Sequence, residues 1–185
     1  IPENMREHHD WRRALAVDPT SRGLGFAVLE DRDRLVDWGG KQTTSKNRNA
    51  QCVAAVVALV RSYEPDLLVL EDCAAPRSRR CGRVQDLIRD LRRVAISHRL
   101  PVRHVSPPAV RETCAGSPRA TKHEVALALA KRFPELARQL PPPRKPWMSE
   151  DARMSVFDAV ALAVTARDWQ SGAGKARPRK AREDP

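Results

Sequence analysis

The sequence predicts an α/β domain in which a mixed five-stranded sheet carries flanking helices. Three observations predict it. Three short apolar runs separated by tight turns open the chain, the pattern of an antiparallel meander. A nearly continuous apolar run at 66–71 lies between two helical patterns, as a strand covered on both faces does. The length of 185 residues and the 41% hydrophobic content suit one domain with one core.

The elements follow in order. Residues 1–12 are polar and are read as a loose leading segment; the chain starts at Ile1, and Met5 is a candidate natural start. Ala14 to Asp18 is a buried strand closed by the Asp18-Pro19 step, because the residue before a proline is driven out of the helical region. Gly23 to Leu29 and Arg34 to Trp38 are the next two strands, joined through the turn Asp31-Arg32-Asp33. A helix over 46–62 carries Val53, Val56, Val57 and Val60 and stops at Pro65. The strand Asp66 to Glu71 follows, then a polar loop, Ala74 to Arg80.

Val84, Leu87, Ile88, Leu91, Val94 and Ala95 recur at three and four residues, which makes an amphipathic helix. Val102 to Val105 is the fifth strand. Ser106-Pro107 reads as an N-cap with proline in the first turn of a short helix ending near Cys114. After a loop at 115–120, Thr121-Lys122-His123-Glu124 has the capping-box pattern and opens a helix to Pro134. Pro141-Pro142-Pro143 stiffens the next connection. Ser149 is expected to cap a last helix over 150–168, with Glu150 and Asp151 in its first turn where the helix dipole favours acids. Residues 171–185 read as a disordered basic tail. A strand–helix–strand connection of this length implies parallel pairing with a right-handed crossover, so the sheet is mixed.

Composition narrows the function. Lys and Arg number 34 against 23 acidic residues, a formal charge of +11 that points to a polyanionic partner, most simply nucleic acid. The four cysteines, Cys52, Cys73, Cys81 and Cys114, lack zinc-site spacing and read as ordinary reduced thiols. No apolar run has the length of a membrane helix and no secretory signal pattern is visible, so a cytoplasmic protein with no membrane partner is expected.

Three acids stand out by context. Asp18 and Glu71 each close a strand, and adjacent parallel strands would deliver both carboxylates to one edge of the sheet, where open α/β sheets place their sites. Asp158 stands inside the apolar run Val156 to Val164, where an isolated carboxylate is costly to desolvate and needs a cation or a hydrogen-bond partner. Each also has a plainer reading: an Asx-type turn at Asp18, a solvated loop acid at Glu71, an arginine partner for Asp158. A divalent metal held by all three would account for them together, since Mg²⁺ and Mn²⁺ favour oxygen ligands.

In sequence order these motifs resemble the RuvC-like Holliday junction resolvase branch of the RNase H-like nucleases. The resemblance is carried by Asp18-Pro19-Thr20-Ser21-Arg22-Gly23-Leu24-Gly25, Leu68-Val69-Leu70-Glu71, Ser106 to Arg111 with Ala120-Thr121-Lys122, and Phe157 to Ala163. It extends over about residues 13–168, so that 13–170 is taken as the nuclease domain. It implies an RNase H-like fold, Asp18, Glu71 and Asp158 as ligands of a pair of Mg²⁺ or Mn²⁺ ions, and basic functional positions at Lys122 and Arg111. The implied activity is a two-metal endonuclease of DNA recombination and repair cutting branched or structured DNA, with DNA favoured over RNA and a homodimer as the assembly. RNA processing on the same fold, or a nucleic-acid-binding module with little catalysis, are the alternatives.

The chain departs from the family pattern in two places. Three residues before Asp158 the family has an acid or a histidine, and here stands Ser155; Asp151, seven residues before, is the candidate substitute ligand, with a first-turn helix acid as the plainer reading. The aromatic wedge that follows the second acidic motif in junction resolvases is absent from Asp72-Cys73-Ala74-Ala75-Pro76, and Arg77, Arg79 and Arg80 follow as candidate phosphate contacts. Among the tryptophans, Trp38 is expected at a sheet edge. Trp147, in Arg144-Lys145-Pro146-Trp147, is expected to fold onto the core, with base stacking as the alternative.

Overall fold

The computed structural model describes residues 11–44, 46–72 and 82–170. Five strands form one sheet: β1 (Arg13–Thr20), β2 (Gly23–Glu30), β3 (Arg34–Gln42), β4 (Leu67–Glu71) and β5 (Val102–Val105). Their spatial order is β3-β2-β1-β4-β5. The β1–β2 and β2–β3 pairs are antiparallel, and the β1–β4 and β4–β5 pairs are parallel. The helices are α1 (Arg48–Tyr63), α2 (Gly82–Ser97), α3 (Pro107–Ala115), α4 (Lys122–Arg132) and α5 (Met154–Gln170), with a 3-10 turn at Pro134–Gln139. This is the mixed five-stranded sheet with flanking helices that the sequence predicts.

The period-two alternation of the strands divides the core into two layers. Leu15, Val17, Leu68 and Leu70 face one way and pack with Cys52, Val56 and Val60 of α1 and Val84, Leu87 and Leu91 of α2. Ala14, Ala16, Leu67 and Val69 face the other way, against α4 and α5. The α5 side of the central strands is lined by alanines, which lets the helix lie close to the sheet. Gly25 makes the contact closest: a Cβ there would stand 2.1 Å from the Ser155 carbonyl oxygen. Helix α5 is apolar nearly all round because it is buried nearly all round, as expected of a helix enclosed by sheet and neighbouring helices.

Local signals account for several boundaries. The Thr121–Glu124 capping box is formed: the Glu124 amide donates to Thr121 Oγ1 at 3.2 Å, and the Thr121 amide donates to Glu124 Oε2 at 2.6 Å. Ser106 is the N-cap of α3 with proline in its first turn, although its hydroxyl makes no capping bond. Other boundaries differ from expectation. Strand β3 runs on to Gln42, past Trp38, because Gly39 and Gly40 continue the ladder against Phe26 and Gly25. Helix α5 begins at Met154 and not near 150, since Asp151 takes a turn of its own: its carboxylate accepts from the Arg153 amide at 2.9 Å. Ser149 therefore does not cap α5. Trp11, assigned by sequence to the loose leading segment, is buried, with the Arg167 guanidinium 4.7 Å from its ring centre. Trp38 lies on edge strand β3 as expected, whereas Trp147 is not folded onto the core; it is 79% exposed. No helix among the described residues is long and apolar enough to cross a membrane.

Candidate active site

Strand register brings the first two acids together. Val17 pairs with Leu70 across the parallel β1–β4 ladder, so the next residues, Asp18 and Glu71, stand side by side at the carboxyl ends of the two central strands. By alternation, Asp18 falls on the face of Ala14 and Ala16, and Glu71 on the face of Leu67 and Val69. That is the face α5 covers, and α5 brings Asp158. Asp18 is 2% exposed, Glu71 and Asp158 are partly covered. All three border one small pocket, with Pro107, Val110 and Arg111 of α3, Lys122 and Val125 of α4, and Leu162 one turn beyond Asp158. The sheet edge, α3, α4 and α5 thus place Asp18, Glu71, Asp158, Arg111 and Lys122 around a shared space.

Lys122 is the electrostatic centre of this group. It sits in the first turn of α4, fixed there by the capping box at Thr121. Its Nζ lies 2.7 Å from Asp158 Oδ2 and 2.9 Å from Glu150 Oε1. Burial alone would lower the lysine pKa. The Asp158 carboxylate, with Asp18 and Glu150 adding to it, outweighs burial and holds the ammonium above its ordinary value, so Lys122 carries its charge throughout the neutral range. A cation therefore already stands among these acids, and it is supplied by the protein.

The donor set is all-oxygen and anionic, the chemistry that hard divalent ions such as Mg²⁺ and Mn²⁺ take. Among the described residues, no three His, Cys, Asp or Glu side chains are drawn together in a geometry that would itself hold an ion. The acids fit a metal in kind and in placement around the pocket; closing a coordination shell would require their side chains to turn inward and Lys122 to release Asp158.

Two expected participants stand elsewhere. Asp151 does not join the acids: its Oδ2 pairs with Arg153 at 2.7 Å, which lowers its pKa, and it borders the neighbouring pocket. The reason is the late start of α5, which removes Asp151 from the helix face that carries Asp158. Ser155 also borders the neighbouring pocket, where its hydroxyl donates to the Ala152 carbonyl at 2.8 Å. Arg77, Arg79 and Arg80 lie outside the described residues. Glu150 is the residue that sequence reading missed. Its position suggests a helix-dipole acid and no periodicity marks it, because it reaches Lys122 from a loop that precedes α5.

No family model matches the chain. The sequence is similar to the crossover junction endodeoxyribonuclease RuvC of Prochlorococcus marinus (strain MIT 9312), with 26% identity over 160 residues, covering 83% of this chain and 94% of that protein. Among solved structures, Thermus thermophilus RuvC in complex with a Holliday junction substrate aligns with a TM-score of 0.67 at 22% identity, covering 89% of this chain and 98% of that one. The yeast mitochondrial Holliday junction resolvase Ydc2 aligns with a TM-score of 0.62 at 14% identity, covering 86% and 79%. The sheet and its helices are those of a RuvC-like, RNase H-like fold.

Proposed function

We propose that this chain is a divalent-metal-dependent endonuclease that hydrolyses phosphodiester bonds in branched DNA, in the manner of a crossover-junction resolvase. The observation that carries the reading is the convergence of Asp18, Glu71 and Asp158 from two strand ends and one helix onto a pocket also bordered by Lys122 and Arg111. The similarity to RuvC proteins, which extends over most of both chains, supports DNA junctions as the substrate class.

In this reading Asp18, Glu71 and Asp158 would be the residues that hold Mg²⁺ or Mn²⁺, as a pair of ions in a two-metal mechanism. The ions would supply charge neutralisation at the scissile phosphate and activation of the attacking water. The protein's own groups do the rest. Apolar side chains, Val110, Val125 and Leu162, wall the pocket and limit water beside the acids. Lys122, whose Nζ lies 2.7 Å from Asp158 Oδ2, would offer its Nζ hydrogens to a non-bridging phosphate oxygen, where negative charge grows in the transition state. Arg111, on α3, is placed to hold the same phosphate or the next. Asp151 has no part in this scheme. Trp147, exposed and with the Lys145 ammonium 5.5 Å from its ring centre, is available to stack on a base.

A substrate panel tests the reading. A four-way junction, a flap, duplex DNA, single-stranded DNA, an RNA–DNA hybrid and structured RNA would each be incubated with Mg²⁺ and with Mn²⁺. Preferential cutting of the four-way junction is expected. Preferential cutting of RNA would replace the resolvase reading with RNA processing, and tight binding without any cutting would leave a binding module in its place.

A further inference from the structure

A second, larger pocket adjoins the acidic one. It has a volume of about 370 Å³ and is bordered by the β1–β2 turn (Thr20, Ser21, Arg22), the end of β3 (Lys41, Gln42) and the loop leading into α5. Glu150 stands on its border and pairs with Lys122 at 2.9 Å, and Lys122 in turn reaches Asp158 at 2.7 Å. An ion-paired chain of side chains, Glu150–Lys122–Asp158, thus links the borders of the two pockets. Thr20 and Asp18 lie on the same face of β1 two residues apart, roughly 7 Å at the rise of a strand. One nucleotide of an extended strand covers that span.

The charges of this pocket do not cancel. Its two acids are already engaged, Glu150 by Lys122 and Asp151 by Arg153 at 2.7 Å. Arg22 and Lys41 are exposed, and neither has a carboxylate partner among the described residues. Both are held on fixed backbone. The Thr43 amide donates to the Arg22 carbonyl at 2.8 Å, Leu24 pairs with Lys41 across the β2–β3 ladder, and a Cβ at Gly23 would stand 1.8 Å from the Lys41 carbonyl oxygen. Two cations are thus presented from strand ends beside the hydroxyls of Thr20, Ser21 and Ser149 and the amides of Gln42 and Gln139. Hydroxyls, amides and cations together are the set that binds a phosphate diester.

Resting on the nuclease reading above, we propose that this pocket holds a backbone phosphate of the cut strand, one or two nucleotides from the scissile bond, with Arg22 and Lys41 as its cationic contacts. Such a subsite fixes the register of the strand over the acids without reading sequence. It also assigns a role to the first-strand turn other than carrying Asp18.

The test uses the full chain and a four-way DNA junction in EDTA, where cutting is suppressed. Arg22→Gln and Lys41→Gln should each weaken binding and reduce the slope of log K against log salt by about 1, the signature of one lost phosphate contact. Arg61→Gln is the control, since Arg61 borders a pocket with Glu64, Pro65 and His98 near the amino end of β4, away from the acids. A methylphosphonate scan around the cut supplies the position. One neutral linkage should weaken binding by the wild type and not by the Arg22→Gln/Lys41→Gln protein, and Lys41→Arg should restore most of the single loss. If both variants keep the wild-type salt slope while the wild type cuts the junction with Mg²⁺ or Mn²⁺, the subsite is overturned and the nuclease stands. If the wild type neither binds nor cuts, the nuclease reading itself fails, and the subsite with it.

Discussion

Asp18 is the most buried of the acids, at 2% exposure. Asp18→Asn is expected to lower cleavage by more than about 100-fold, beyond what loss of an outer-shell partner of a metal costs. The melting temperature should change little, because asparagine keeps the volume of the buried side chain. Lys122 separates two roles that one assay would merge. Lys122→Met should reduce kcat by about 10²–10³-fold, the scale of one lost donor to transition-state charge. Mn²⁺ binding to the uncut protein, followed by calorimetry, should become tighter in the same variant, because the ammonium 2.7 Å from Asp158 no longer competes for that carboxylate. Weaker Mn²⁺ binding would show that Lys122 helps to build the metal site. The convergence of the three acids was legible in the sequence because each breaks a pattern, two charges closing apolar strands and one inside an apolar helix, whereas Lys122, an ordinary member of a capping box, was singled out only through the family resemblance. Glu150 and Arg22 break none. They act from loops and turns, where charge is the rule and only tertiary structure shows what lies opposite.

Among the elements, α5 matters most, since it carries Asp158 to two strand ends that belong to the sheet. Its seat depends on close approach at Gly25. Gly25→Ala should push α5 outward, costing about 1–3 kcal/mol as overpacking does and lowering the melting temperature by roughly 2–4 °C for each kcal/mol. Cleavage should fall further than stability alone explains, as Asp158 moves with the helix; thermal unfolding and a cleavage rate at 20 °C below the transition would separate the two. The other end of β1 is tied by Glu30, which is held by Arg13 at 2.5 Å and Arg34 at 2.9 Å. The hydrogen bond from Arg13 dominates over burial and keeps the Glu30 carboxyl below its ordinary pKa. The stabilisation is accordingly present above the usual glutamate range and is lost as pH falls through the lowered native value. Glu30→Gln should lower the melting temperature at pH 7, and the gap to the wild type should close on acidification; a gap that is the same at both pH values would contradict the role given to this ion pair. Most elements were readable from periodicity and caps. The start of α5 was not, because the acids at 150 and 151 suggest a helix dipole, while the Asp151 carboxylate instead binds the Arg153 amide and closes a turn.

Across the whole molecule, charge and fold point the same way. A formal charge of +11 on 185 residues favours a polyanion, and the acids converge on one pocket in a RuvC-like sheet. The proposed junction cutting carries an expectation for assembly: a homodimer would let one junction meet two active sites, and sedimentation equilibrium should then give twice the 20.7 kDa chain mass. A monomer at micromolar concentration would leave paired cutting without a structural basis. What single-sequence reading could not supply at this scale is the second pocket, since it is assembled from the β1–β2 turn, β3 and the α5 loop, which only the sheet order brings together.

The most direct measurement is cleavage of a four-way DNA junction in Mn²⁺ by the wild type, by Asp18→Asn and by Asp158→Asn, each with an EDTA control. The account predicts paired cuts by the wild type, none in EDTA and none above background by either variant at equal junction binding. Cutting that survives EDTA, or that persists in both variants, would contradict a metal-dependent nuclease built on these acids.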